Sequence, residues 1–236
     1  MKLFNKICVP AALTLAMAAA VSCSDNDDEN AGWTELIKVA TYNIQYDNQS
    51  VEAGKWDNRK DLMQKMLKDC DFDIFGVQEP YKFQIDDIVS WFPEYGWVGA
   101  SISGESEKER VHYNPIFYRK DRFTVLDNGM FWYSETPEVV NSKGWDSYSV
   151  RMCNWVKFKD NRNGKIFFHF NSHFDHKGET ARLESAKLLV SKVKEIAADY
   201  PSFCTGDYNT DQTSAPYQII IMSDLMDSYS KAQYRS

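Results

Sequence analysis

Residues 165–197 read KIFFHFNSHFDHKGETARLESAKLLVSKVKEIA, and two periodicities meet inside them. Over 165–174 the residues alternate. His169, Asn171 and His173 fall on one face, and Ile166, Phe168 and Phe170 on the other, which is the period of a strand. From residue 179 the apolar positions Leu183, Ala186, Leu189, Val190, Val193 and Ile196 lie on one helical stripe, so a long amphipathic helix is predicted over 179–198. Residues 203–205 (FCT) then return to strand-like composition and run into Gly206-Asp207-Tyr208-Asn209. A strand, a covering helix and another strand make one α/β unit.

The rest of the chain extends that pattern. Residues 36–44 (LIKVATYNI) and 73–77 (DIFGV) read as strands, and 56–69 and 81–92 as helices, the second stopped by Pro93. Residues 114–119, 123–133 and 150–159 read as consecutive strands before the one at 165–174, and a last helix is predicted over 216–225. Alternation at both ends with consecutive strands between them implies mixed sheets covered by helices, an α/β sandwich.

The N-terminus follows other rules. Lys2 and Lys6 precede an apolar run over 7–21, and Ser22-Cys23 follows, as in a secretory signal. The run is short for a membrane span. Cys23 after Ala20-Val21-Ser22 resembles the lipobox of bacterial lipoproteins, where that cysteine carries the lipid. Residues 24–30 (SDNDDEN) hold no apolar side chain and make a solvated tether over 23–35. They resemble the export signal of Bacteroidota surface lipoproteins. The expected location is the bacterial cell envelope, lipid-anchored to the outer membrane and facing outward. A soluble secreted protein with an acidic N-terminus is the alternative.

Loss of residues 1–22 removes two of the 27 lysines and arginines and takes the net charge from −7 to −9. So acidic a chain has no surplus of cations for indiscriminate grip on a nucleic-acid backbone. Cys70, Cys153 and Cys204 are odd in number and widely spaced, so free thiols are expected, with neither a disulfide framework nor a zinc motif. Residues 36–236 suffice for one domain, expected to be monomeric.

Several of the strands stop at polar residues: Asn43, Gln78-Glu79, His173 and Gly206-Asp207-Tyr208-Asn209. Sites gather at the carboxyl ends of strands in α/β proteins. Asp207 and Asn209, two apart, face one space if the chain there is extended; a simple turn is the other reading of Gly, Asp and Asn together. His169 and His173 cannot share a zinc, because four residues of strand separate them by about 13 Å while each Zn–N bond spans about 2 Å. His173, at the strand end beside Asp175 and His176, is the functional candidate, and His169 is read as a packed residue. Glu79 after a buried run needs a partner or a metal, and Mg²⁺ asks for only one or two carboxylates. Phosphodiester hydrolysis would use such groups: Glu79 for Mg²⁺, Asp207 to orient water, and Asn209, Asn43 and His173 on phosphate oxygens. Arg151 adds a bidentate donor, unless it pairs with Asp160 or another acid.

The stretches TYNIQYD (41–47), QE (78–79), NPIFYRKDRF (114–123), RMCNWVKF (151–158), NSHFDHKGETARLESA (171–186) and TGDYNTD (205–211) resemble, in order, the motifs of the endonuclease/exonuclease/phosphatase superfamily. That magnesium-dependent group includes pancreatic deoxyribonuclease, abasic-site endonucleases, bacterial sphingomyelinases and inositol-phosphate 5-phosphatases. The resemblance implies a four-layered α/β sandwich with two mixed β-sheets. It implies hydrolysis of a phosphate ester with Mg²⁺ or Mn²⁺, a metal at Glu79, and phosphate contacts from Asn43, Arg151 and His173. Asp207 and Asn209 would align water and steady the transition state. Two departures stand out. His112 occupies a position where members usually carry Glu, and the late Asp and Ser-Asp-His motif has no counterpart before Ser236. The C-terminal strands are therefore expected to be missing. A phospho-ligand-binding lipoprotein without turnover, or a truncated gene product, is the alternative to an enzyme.

Overall fold

A computed structural model describes residues 36–105 and 107–232. Cys23, the signal over 1–22 and the tether lie outside the described residues. Eight strands form two mixed sheets of four. One is ordered β1 (Val39–Asn43), β2 (Ile74–Gln78), β4 (Ile116–Arg119) and β3 (Tyr95–Val98). The other runs β5 (Phe123–Trp132), β6 (Met152–Asp160), β7 (Ile166–His173) and β8 (Ser202–Asp207). In each sheet one terminal pair is parallel, β1 with β2 and β7 with β8, and the rest is antiparallel.

Helices α1 (Lys60–Cys70) and α2 (Lys82–Trp91) cover the first sheet, where Met63, Leu67, Ile85 and Ile88 pack with Phe75, Val77 and Phe117. Helix α3 (Glu179–Ala197) covers the second, burying Ala186, Leu189 and Val193 against Phe168 and Phe170. The short helices α4 (Ala215–Ile221) and α5 (Ser228–Lys231) follow β8. Between the sheets lies a third core of Ile74, Ile116, Phe123, Val156, Phe158 and Phe167. Helix, sheet, sheet, helix is the four-layered sandwich that the sequence motifs imply.

The last expected helix ends at Ile221, short of residue 225, and α5 was not expected; two further differences have a clear physical cause. The helix expected from residue 56 begins at Lys60, because Asp47 accepts the Trp56 N–H at 2.9 Å and holds residues 56–58 in a separate 3₁₀ turn. Strand β3 has no alternating pattern to announce it. Its Gly96 is required by packing: a Cβ there would stand 2.7 Å from the Tyr118 ring on the neighbouring strand.

Toward the strand ends the inter-sheet core turns polar. Asn171 of β7 reaches into the first sheet and donates to the carbonyls of Val77 (2.9 Å) and Pro115 (3.0 Å), while its oxygen accepts from Gln78 Nε2 at 2.6 Å. Gly76 makes room for it, since a Cβ there would lie 2.5 Å from Asn171 Oδ1. His169 is fully buried and bonds Thr205 Oγ1 at 2.7 Å, as a packed residue does. Among the described residues the one buried side-chain polar atom without a hydrogen-bond partner is His169 Nδ1, so the layer fixes how one sheet sits on the other.

Candidate active site

The carboxyl ends of the two parallel strand pairs meet. In register, Asn43 stands beside Gln78 in one sheet and His173 beside Asp207 in the other. Glu79 follows Gln78 with a left-handed backbone (φ 71°), and Gln45 (φ 56°) and Asn209 (φ 47°) share that conformation. Non-glycine residues held this way cost energy and cluster at functional sites.

One amide ties the two ends together. Asn43 Nδ2 donates to Glu79 Oε1 at 3.0 Å and to Asp207 Oδ2 at 2.8 Å, while Asn43 Oδ1 accepts the Gln45 N–H at 2.9 Å. His173 Nε2 is 3.9 Å from a carboxylate oxygen of each acid. Burial, and then the nearby Arg151 guanidinium, push the His173 imidazole well below its usual range, so it stays neutral. Arg151, just ahead of β6, is buried, and its Nη1 lies 3.0 Å from both ring nitrogens of His173.

Asp175 holds that arginine. It is fully buried, faces Arg151 Nε at 3.5 Å, and accepts the backbone N–H groups of Ser149, Lys177 and Gly178 at 2.8–3.0 Å. Burial alone would raise its carboxyl, but these backbone donors outweigh that and keep it strongly acidic. Arg151 Nη2 also meets His176 Nδ1 at 2.9 Å. Of the acids expected as alternative partners for Arg151, Asp160 is bonded to Arg122 at 3.0 Å, and the acid that faces Arg151 is Asp175.

Asn43, Glu79, Arg151, His173 and Asp207 are thus brought to one cleft. Asn209 comes to its edge, but its amide donates to the Phe174 carbonyl at 2.9 Å and its N–H to Asp207 Oδ1 at 3.0 Å. It closes a turn that orients Asp207, so both readings of Gly-Asp-Tyr-Asn describe part of what the segment does. Asp175 and His112 were not singled out as site residues from sequence. The signal for Asp175 was its place between His173 and His176. His112 stacks on Tyr46 close enough to Glu79 and Arg151 for their charges to act on it.

Two half-exposed carboxylates on one shared donor would repel a phosphate unless a cation lay with them. Their oxygens suit a hard divalent ion. Among the described residues no three His, Cys, Asp or Glu side chains cluster to hold a metal alone, so an ion that keeps several waters fits better than zinc.

Fold and site together place the chain among two-sheet α/β sandwiches with an acid–histidine–arginine cleft at the strand ends. It belongs to the Endonuclease/Exonuclease/phosphatase family, whose model matches residues 40–235. Enzymes of this family hydrolyse phosphoesters and generally use divalent metal ions. The chain is similar to an endonuclease/exonuclease/phosphatase from Bacteroides vulgatus, with 40% identity, a TM-score of 0.78, and coverage of 84% of this chain and 76% of that one. It is also similar to a mannosyl-6-phosphatase from Bacteroides thetaiotaomicron, with 39% identity, a TM-score of 0.73, and coverage of 78% and 69%. An uncharacterized protein (L388) of Acanthamoeba polyphaga mimivirus is 31% identical over 188 residues, 74% of this chain and 68% of its own. The chain spans about a quarter of the length of several longer curated relatives.

Proposed function

We propose that this chain is a Mg²⁺-dependent phosphatase of small phosphate esters, tethered at the cell envelope through a lipid on Cys23 and acting as a monomer. The observation that carries the reading is the single Asn43 amide shared by Glu79 and Asp207 beside a neutral His173 and a buried Arg151. The similarity to a mannosyl-6-phosphatase and the acidic balance of the chain favour a phosphorylated sugar over a nucleic acid.

Glu79 would hold Mg²⁺, or Mn²⁺ in its place, and the bound ion would offset charge on the phosphate oxygens. Arg151 has two N–H groups left over from its protein partners and presents them to a phosphate oxygen. Asp207, kept in place by Asn43 and by the Asn209 N–H, accepts a proton from the attacking water. Neutral His173 donates a hydrogen bond to charge developing on the phosphate without bringing a second buried cation beside Arg151.

The test is steady-state hydrolysis of hexose 6-phosphate and of a generic phosphodiester by residues 24–236 with Mg²⁺, in wild type and Asp207→Asn. Turnover of the monoester that falls by about three orders of magnitude in the variant, with phosphate binding retained, is the expected result. Turnover that ignores Asp207 would overturn the assignment, and binding without any turnover would favour a phospho-ligand-binding protein.

A further inference from the structure

Beside Glu79 three half-buried rings pack on one another: Tyr46, Tyr81 and His112. Tyr46 and His112 are stacked with centroids 5.1 Å apart at 29°, and Tyr81 leans on both at 5.6 Å. Tyr46 lies three residues beyond Asn43, and Tyr81 two beyond Glu79, so the rings stand at the same strand ends as the carboxylates. None of the core clusters of the sandwich includes them. Two polar side chains flank the rings: the exposed Gln45, and the exposed Arg110, whose guanidinium lies over Tyr81 and over Phe83, 5.9 Å from each centroid.

We propose that Tyr46, Tyr81 and His112 form a one-sided platform for the ring of a phosphorylated sugar, with its phosphate at Arg151 and its hydroxyl groups reached by Gln45 and Arg110. The inference rests on the sugar-phosphate reading above and deepens it to the residues that would hold the sugar ring. A pyranose offers an apolar C–H face to an aromatic surface and hydroxyls around its rim, and this wall supplies both kinds of partner. A base sandwiched between two rings would need a slot between them. Tyr46 and His112 already stack on each other, so no slot opens between them for a planar base.

The experiment is calorimetric titration of the full chain, with Mg²⁺, by three non-hydrolysable ligands: a hexopyranose 6-phosphonate, methylphosphonate and an adenosine 5′-phosphonate. The hexose ligand should bind about tenfold tighter than methylphosphonate and tighter than the nucleoside. Tyr81→Ala and Tyr46→Ala should bring the hexose ligand to within about twofold of methylphosphonate, whose own affinity stays unchanged, while Tyr81→Phe keeps the preference. Saturation transfer from tyrosine ring protons to the sugar C–H protons in wild type reads the same contact without a variant. Equal affinity for hexose and methyl ligands, tighter binding of the nucleoside, or absent transfer would overturn the platform and leave the phosphate site standing. Failure of methylphosphonate and both larger ligands to bind would overturn the phosphate site and the platform together.

Discussion

Asn43 donates its side-chain amide to Asp207 across 2.8 Å, joining the first strand of one sheet to the last strand of the other. The same amide nitrogen serves Glu79, so one neutral group keeps two acids from repelling each other freely. Asn43→Ala should lower the unfolding free energy by about 1 kcal/mol, a modest figure because both carboxylates are partly solvated. Urea unfolding without metal measures it. A midpoint equal to wild type would mean the bridge contributes nothing.

Glu79 is the proposed seat of the cation. Glu79→Gln keeps the shape and the Asn43 contact but removes the charge, and Mg²⁺ affinity should fall at least about tenfold. Calorimetry on folded protein decides this; unchanged affinity moves the metal to Asp207.

Acid should find a weak point between the sheets. Burial lowers the His169 imidazole from 6.5 to about 3. Above pH 6.5 the group is neutral folded or unfolded and adds no pH dependence. Between 6.5 and about 3 the unfolded chain takes up a proton that the folded one refuses, so stability drops as pH falls, by about 1.4 kcal/mol per unit at most. His169→Gln should remove about one proton's worth of that slope. Denaturation series at several pH values compare the two chains, and parallel curves would show that His169 charges inside the fold.

Cys23→Ala should release the protein from the membrane fraction or block its processing. Fractionation of cells expressing each chain tests the lipid anchor, and identical membrane association would remove it.

Much of this architecture was legible before any coordinates. The strand over 165–174 and the helix after it announced themselves by period, because each buries one face against a uniform neighbour. In the structure the strand, Ile166–His173, is one residue shorter at each end than the reading, and the helix, Glu179–Ala197, ends one residue earlier. The polar strand ends pointed to the cleft because Asn43, Glu79, His173 and Asp207 each interrupt an apolar run. Asn209 was read from its spacing to Asp207 and from the family motif, and neither says which carbonyl its amide meets; here that is Phe174. Asp175 was passed over because its work is done on backbone groups at 149, 177 and 178, which one-letter codes do not display. Strand β3 was missed because Gly96 answers to a tyrosine on another strand.

The span between Asn43 and Asp207 has a kinetic meaning as well. Their bond closes a loop of 164 residues, among the most distant pairings the described chain makes. Entropy defers such closures until nearer contacts have formed, and chains dominated by them fold slowly. An intermediate with only one sheet in place would carry half of the acid pair and no cleft. In a refolding experiment the return of phosphate binding therefore marks the docking of the two sheets, a later event than the return of secondary structure.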